Sequence, residues 1–446
     1  MLLFWHQKDL RVEENLALYE AWKIDKKILP VFILSPEEKL GAATKWWLHY
    51  SLEALAKDYA KKGAKLVIKK GDPVLILKKL LEKTKAEGIY YNQTFEKREK
   101  RVEKAFKGKV ASFNGNHLVG IPHFFNKSGK PFAVFTPFYQ ALKKELHLPK
   151  GSPQKFGKVP PLRSDSLTLL PTKKWDTEMK KFWKPGRAGA LKRIKNFHAG
   201  SYAVSREKPA VEGTSFLSPH LHFGEVSPAE VWRKIKNPSF RRQLAWREFG
   251  AAFVYHFPKT PTQNWNVKFK RFPWTLKPSQ LKKWQQGKTG YPLVDASMRQ
   301  LWKLGWMHNR MRMVVASFLV KDLKIHWKKG AAWFWDTLVD ADLGNNTLGW
   351  QWVAGCGPDA APFFRIFNPV LQGEKFDPEG KFVKLYCPEL KNLPKKWIHK
   401  PWEAPEEVLQ KAQVVLGKNY PQPMVDHKVA REEALKAYKT RVQNLR

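Results

Sequence analysis

Two carboxylates two positions apart and a pair of adjacent amides, Asp340, Asp342, Asn345 and Asn346, fall inside residues 327 to 369, WKKGAAWFWDTLVDADLGNNTLGWQWVAGCGPDAAPFFRIFNP, a run rich in aromatic and aliphatic residues that holds five tryptophans. An amide buried there without a partner costs roughly 2 to 7 kcal/mol, and a charge costs more. The segment therefore predicts that Asp340, Asp342 and Asn346 are buried and that something satisfies them, a polar aromatic cofactor being one such group. Trp350 and Trp352, two positions apart, must point in different directions on a helix or a strand, so one can face inward while the other faces a cavity. Core packing explains most of the twenty tryptophans. Stacking on an unpaired base is the functional alternative, at about 1 to 3 kcal/mol per base.

Upstream, GTSFLSPHLHFGEVSP (213 to 228) offers the hydroxyls of Thr214, Ser215 and Ser218. Ser218 followed by Pro219 predicts a helix start with Ser218 as N-cap, which presents free amides and a positive dipole end suited to phosphate. Arg247 and Arg206 could add charge-assisted contacts, and a plain capped helix with ordinary ion-pair arginines is the structural alternative. WMHNRMRMVVASFLVKD (306 to 322) predicts one helix with Asn309, Arg312 and Met313 sharing a side. Arg312 beside Asp340 and Asp342 is most simply a buried salt bridge.

These groups need a scaffold, and the chain supplies two kinds. From 1 to about 120, apolar runs (LLFW, ILPVFIL, KLVIK, GIYYN) alternate with helical patterns (LALYEAWKI, KWWLHYSLEALAKDYAKKG, PVLILKKLLEKTKAEG), the signature of a parallel sheet wrapped by helices. No GxGxxG follows the first strand, which argues against a dinucleotide bound in the usual βαβ manner. Residues 121 to 185 are rich in Pro, Lys, Ser and Gly and read as an interdomain connection. From 186 to 446 helical periodicity dominates. The fold class expected is α/β plus all-α.

The totals narrow the function classes. Lys plus Arg number 81 against 40 Asp plus Glu, a net charge of +41, so a polyanionic partner is expected, although lysines dispersed in pairs also serve as solvated surface. Cys356 and Cys387 have no CxxC spacing, so neither a disulfide framework nor a metal site is expected, and a reducing, cytoplasmic setting fits. No signal-peptide pattern follows Met1, and no run of about 18 apolar residues suggests a membrane span.

Taken in order, GTSFLSP, WREF, TGYPLVDASMRQL (289 to 301), GWMHNRMRM (305 to 313), DADLGNNTLGWQW (340 to 352) and DAAPFFRIFNP (359 to 369) resemble the DNA photolyase and cryptochrome family across essentially the whole chain, most like its class I cyclobutane pyrimidine dimer photolyases. The resemblance implies a Rossmann-like antenna domain (1–120), a linker (121–185) and a helical FAD-binding catalytic domain (186–446). It implies a carbon–carbon lyase in which photoexcited, reduced FAD donates an electron to a pyrimidine dimer in UV-damaged DNA, the cyclobutane ring opens and the electron returns. A monomer is the family's usual state.

By the same resemblance, FAD contacts fall to Tyr202, Thr214, Ser215, Leu217, Ser218, Arg247, Trp306, Asn309, Arg312, Asp340, Asp342 and Asn346. Arg312 and Asp340 would pair beside the isoalloxazine, and Asn346 would face the flavin N5. The lesion side falls to Arg206, Gln243, Trp246, Asn309, Arg310, Met313 and Trp352, with Trp246 and Trp352 cradling a flipped dinucleotide. Trp350, Trp327 and Trp274 match the family's electron relay from flavin to surface.

Relatives that repair the (6-4) photoproduct carry histidines where this chain has Asn309 and Met313, which favours the cyclobutane dimer. The stop at Arg446, without the long extension of many signalling cryptochromes, favours repair over a blue-light photoreceptor. Some positions depart from the pattern. Gln243 stands where dimer-repairing relatives usually have glutamate, and Phe240 replaces a tryptophan near the flavin. WHQKDLR (5 to 11) replaces WFRxDLR. Arg98 stands where folate-binding relatives tend to have asparagine, although Glu99 is retained. The second chromophore is thus open among folate, deazaflavin, a second flavin and none.

Overall fold

The computed structural model describes residues 1–172, 175–359 and 364–443. The DAAPFFRIFNP motif therefore lies partly outside the described residues, at 360–363, as do 173 and 174 of the 121–185 stretch. Two compact units emerge: residues 1–131, 136–199 and 215–248 form the first, and 132–135, 200–214 and 249–446 the second.

In the first unit, β1 (Leu2–His6), β2 (Ile28–Leu34), β3 (Val67–Lys70), β4 (Gly88–Asn92) and β5 (Val110–Phe113) make a five-stranded sheet in the order β3-β2-β1-β4-β5. Every pairing is parallel, with Leu2 opposite both Ile28 and Gly88. β1 is buried along its length and β2 nearly so, which is why both read as continuous apolar runs rather than alternating ones. Leu3, Trp5, Val31, Ile33, Ile89 and Tyr91 form one core with Leu77 and Leu80. Helices α1 (Leu16–Ile24), α2 (Ala42–Lys61), α3 (Pro73–Thr84) and α4 (Lys97–Ala105) alternate with the strands. Their starts are chemically marked: Asn15 caps α1, and Asp72 caps α3 with Pro73 in its first turn.

The strand order reverses at β1, and there a closed polar network forms. Asp9 accepts from the Gln7 amide (2.8 Å), Asn92 (2.7 Å) and Asn15 (3.2 Å). Arg98 donates to Gln7 (3.0 Å) and pairs with Glu38 and Glu96. Glu99, accepting from Gln7 and the Thr94 and Phe95 amides, is pushed by burial up to about 7. The WHQKDLR segment and the Arg98–Glu99 pair thus belong to one buried cluster at the switch point of the sheet, where α/β folds of this kind bind ligands. Within 121–185 the chain forms helices Phe135–Lys144 and Thr177–Phe182.

The second unit is helical; its described residues hold only isolated β-bridges. Its core gathers Trp284, Trp327, Trp350, Met307, Met311, Phe318 and Phe334 from helices Pro278–Gln285, Asn309–Ser317, Trp327–Thr337 and Leu343–Ala354 and the segments between them. A Cβ on Gly344 would lie 2.6 Å from backbone of Gly250, so these helices cross at glycine-only separation. Gly330 leaves room in the same way for the Trp350 ring, which a Cβ would approach to 2.0 Å.

Two expectations about helix starts are corrected. The 306–322 helix begins at Asn309, because the His308 side chain caps it by accepting from the Arg310 amide (3.3 Å), and it ends in a π-helical turn, Phe318–Asp322. Ser218 is the first residue of a five-residue helix whose cap position is Leu217, so it is not the N-cap. The chain turns earlier there: Phe216 takes φ +51° and the Ser215 hydroxyl accepts from the Leu217 amide (3.3 Å).

Candidate functional site

Arg312 is the centre of the polar cluster. Its Nη2 donates to both Asp340 oxygens (2.8 and 3.1 Å), and its Nε donates to the Met307 carbonyl (2.9 Å). Asp340 is buried as expected, but Asp342 and Asn346 are only half-buried. Asp342 sits at the N-cap of helix Leu343–Ala354 and accepts from the Asn345 amide (2.9 Å), which keeps its carboxylate at the helix end. Asn346, one turn on, donates from Nδ2 to the Ala331 carbonyl (3.1 Å). A carbonyl only accepts, so this bond fixes the side-chain orientation and leaves Oδ1 as the pole for an incoming donor.

Of the other residues assigned to FAD, Ser215, Leu217, Ser218 and Arg247 belong to the first unit, and Tyr202, Thr214, Trp306, Asn309, Arg312, Asp340, Asp342 and Asn346 to the second. Leu217 is buried and Ser218 exposed. Arg247 is held by Glu248 (Nη1 to Oε1, 2.6 Å), itself fully buried and bonded to His117 (3.1 Å) and the Leu118 amide (3.0 Å). The ion-pair alternative for Arg247 is thus met in part, and a phosphate would share the guanidinium with Glu248. Trp306 is buried, edge-on to His308 at 6.4 Å.

In the second unit Tyr202, Arg206, Glu207, Thr214, His308, Asn309, Arg310 and Met313 line a cavity of about 50 Å³. Asn309 and Met313, at i and i+4, contribute from one helix face, and Arg312 on the same helix reaches Asp340. Glu207 and His308 carry no signal in the sequence, since their neighbours here are remote or capping contacts. Burial depresses His308 to about 4, so it is neutral near pH 7. The Arg310 Nε is buried without a hydrogen-bond partner, which suits a polar ligand in this cavity.

Gln243, Trp246 and Arg247 follow one another at i, i+3 and i+4 on helix Pro238–His256, all half-buried, and Phe240 is buried on the turn before. Trp352 is half-buried and donates to the Asp359 carbonyl (3.1 Å), with Arg365 over its ring at 5.9 Å. Trp350 is buried, its ring 5.0 Å from Phe334, and its Nε1 has no partner. The two tryptophans therefore separate as their spacing requires. Trp327 is buried and donates to Asn264 (2.7 Å), while Trp274 is half-exposed. His326 lies between these two rings, 4.8 Å from Trp274 and 5.6 Å from Trp327, and burial lowers it to about 4.

Within the second unit, the fixed Arg312–Asp340 ion pair, the oriented Asn346 amide and the capping Asp342 carboxylate have the chemistry to meet a polar ring edge such as that of FAD. Comparisons agree. Residues 2–156 match the DNA photolyase family model, and residues 240–440 match the FAD binding domain of DNA photolyase. The chain is 46% identical to the deoxyribodipyrimidine photo-lyase of Agrobacterium fabrum, over 98% of this chain and 97% of that one. It is 36% identical to cryptochrome-2 of Arabidopsis thaliana, over 98% of this chain and 78% of the other. Its fold overlays a bacterial class III photolyase from Agrobacterium tumefaciens with a TM-score of 0.95 and 44% identity, covering 100% of this chain and 98% of that one. The chain belongs to the DNA photolyase and cryptochrome family and carries the FAD-binding domain of that family.

Proposed function

We propose that this protein repairs cyclobutane pyrimidine dimers in UV-damaged DNA by light-driven electron transfer. Bound FAD, photoexcited in its reduced form, would supply the electron that opens the cyclobutane ring and take it back afterwards. The chain's residues do the rest. Arg312, held by Asp340, sets a fixed positive charge beside the flavin. Asn346, oriented through Ala331, offers an acceptor to a flavin N–H. Tyr202, Thr214, Ser215, Leu217, Ser218, Arg247, Trp306, Asn309 and Asp342 complete the FAD contacts in this reading. Arg206, Arg310, Asn309 and Met313, which line one pocket, are read as receiving the flipped lesion, and Trp246, Trp352 and Gln243 are read as further lesion contacts. Gln243 can donate and accept hydrogen bonds but cannot ionise, so it recognises a thymine edge without supplying charge.

The observation that carries the choice of lesion is the state of His308. It is the one histidine among the residues lining the cavity, and burial holds it neutral near pH 7. Asn309 and Met313 beside it supply no proton either. A site whose histidine is neutral suits a reaction that only moves an electron out and back, and it does not suit one that needs protonated histidine. This reading concerns the lesion and the chemistry rather than the class: the motifs resemble class I, and a class III photolyase shares the fold at 44% identity. The test is to illuminate the reduced protein with oligonucleotides bearing a cyclobutane dimer or a (6-4) photoproduct. Restoration of the first alone is expected; restoration of the second would overturn the assignment.

Trp350, Trp327 and Trp274 are read as the photoreduction relay. Their burial supports this, since Trp350 and Trp327 are enclosed and Trp274 is half-exposed. Neutral His326 between two of the rings adds no charge to oppose an oxidised tryptophan. Residues 1–120 are read as the antenna domain, 121–185 as its linker and 186–446 as the catalytic domain. The buried Gln7–Arg98–Glu99 cluster is the candidate contact for a second chromophore. A monomer in a reducing cytoplasm fits the two buried, unpaired thiols, and no helix among the described residues is long and apolar enough to cross a membrane.

A further inference from the structure

The two arginines read as lesion contacts are already occupied by a carboxylate. Glu207 Oε2 pairs with Arg310 Nη2, and Glu207 Oε1 lies 3.5 Å from Arg206 Nε. The three side chains all line the same cavity and are each only partly exposed. The arginines are held for binding by other contacts as well. The Arg310 guanidinium lies 3.7 Å from the Phe376 ring, and that of Arg206 lies 5.4 Å from the Tyr202 ring. Stacking of this kind fixes a guanidinium plane while leaving its edge to a planar or tetrahedral anion. Arg310 Nε is buried without an acceptor, so the carboxylate does not exhaust the donors of that arginine. Burial and the neighbouring Arg206 charge both push the Arg310 guanidinium down, which makes an anion between the two favourable.

We propose that Glu207 is an internal stand-in for a DNA phosphate: its carboxylate clamps Arg206 and Arg310 in the free protein and must swing out when the backbone beside a lesion enters the cavity. The proposal rests on the assignment of these arginines to DNA. Its physical content is a competition. A protein of net charge +41 attracts any duplex, and the sequence-independent part of that attraction follows the number of phosphates neutralised. With the clamp closed, the single negative charge of Glu207 cancels one of the two positive charges of Arg206 and Arg310. DNA gains that charge only by displacing Glu207, which then stands as a negative charge beside the phosphates. Glu207 thereby sets how tightly the cavity holds DNA.

The FAD-loaded full chain, its Glu207→Gln and Glu207→Asp variants, Arg310→Gln and the double variant Glu207→Gln/Arg310→Gln would be titrated with labelled duplexes, undamaged or carrying one thymine dimer, across a range of salt. Glu379→Gln, which removes an exposed carboxylate paired with Lys395, controls for net charge. We expect Glu207→Gln to tighten binding of the dimer duplex by roughly tenfold at low salt and to steepen the plot of log K against log salt by about 0.9, the value of one further effective phosphate contact. The gain should vanish in the Arg310→Gln background, and Glu207→Asp, which keeps the charge, should retain the wild-type slope. The clamp is refuted if Glu207→Gln gains no more than Glu379→Gln, if its gain survives loss of Arg310, or if Glu207→Asp behaves like the amide. Equal binding of damaged and undamaged duplex by every protein, with these clamp effects intact, would instead sink the lesion reading and leave the clamp standing.

Discussion

Replacing Trp327 with phenylalanine separates photoreduction from repair, the two roles proposed above for different residues. Trp327 is 1% exposed, and its Nε1 donates to Asn264 Oδ1 at 2.7 Å. Phenylalanine removes that donor and one ring of volume. Asn264 retains a weak partner in the Cys356 thiol at 3.7 Å, so its oxygen is not wholly orphaned. The lost bond and the small void together should cost roughly 2 to 4 kcal/mol. That is less than the typical 5 to 15 kcal/mol of a folded protein, so the variant should fold, bind FAD and give an interpretable readout. Phenylalanine is much harder to oxidise than tryptophan, and a relay through residue 327 would stop there. Light-driven reduction of oxidised FAD should therefore fall to the level of Trp350→Phe, while dimer repair by chemically prereduced protein stays at the wild-type rate. Absorbance spectroscopy under blue light reads the first, and recovery of thymine absorbance reads the second. Equal loss of both activities would refute the relay; unchanged photoreduction would show that electrons take another path.

Asn346→Ala removes the amide that Ala331 orients, and it should impair formation or lifetime of reduced FAD, measured by its reoxidation rate in air, with little change in global stability at this half-buried position. Asp340→Asn removes the countercharge of Arg312, which keeps only an amide oxygen and the Met307 carbonyl as acceptors in this contact. Removing one member of a buried pair costs about 3 to 5 kcal/mol, and partial exposure of Arg312 reduces that to about 1 to 3 kcal/mol, to be read by urea denaturation together with weaker FAD retention. Lys321→Met tests a buried amine that has no hydrogen-bond partner and lies 2.9 Å from the Phe364 ring centre. Burial holds Lys321 well below the ordinary lysine range, so the unfolded chain binds a proton that the folded chain releases. Wild-type stability should then rise with pH up to that ordinary range, by at most about 1.4 kcal/mol per pH unit from this group. The methionine variant should be more stable by on the order of 1 to 4 kcal/mol near neutrality, with its advantage shrinking as pH rises; a destabilised variant, or a pH-independent difference, would contradict this.

How far the sequence reaches depends on the range of the interaction. β1, β2 and β4 were legible because strands buried on both faces read as apolar runs, and α1 to α3 because helices keep a 3.6-residue period; β3, buried only at Val67, showed through its place between two helical patterns. β5 was not: Val110–Phe113 is four half-buried residues with nothing to set them apart from a loop. The Arg312–Asp340 pair could be anticipated from residue types alone, since a cation near a core helix needs an anion. The Glu207 clamp could not, because its partner Arg310 lies 103 residues away and both look like ordinary surface charges. Capping decided the remaining differences. Histidine is seldom read as a cap, so His308 hid the true start of its helix, and Ser218 with Pro219 looked like a better cap than the turn at Phe216 allows. Asp342 and Asn346 are half-buried rather than buried because the first turn of their helix is open on one side, a property of packing that no local pattern encodes.

The most direct test of the account is repair itself. The purified protein, with its FAD chemically reduced, would be mixed with oligothymidine carrying cyclobutane dimers and exposed to blue light, and ultraviolet absorbance followed against a dark control. Recovery of thymine absorbance in the light alone is the predicted result. Absence of recovery, with FAD bound and reduced and the protein folded, would contradict it and favour a light sensor that shares the flavin site without turning over DNA.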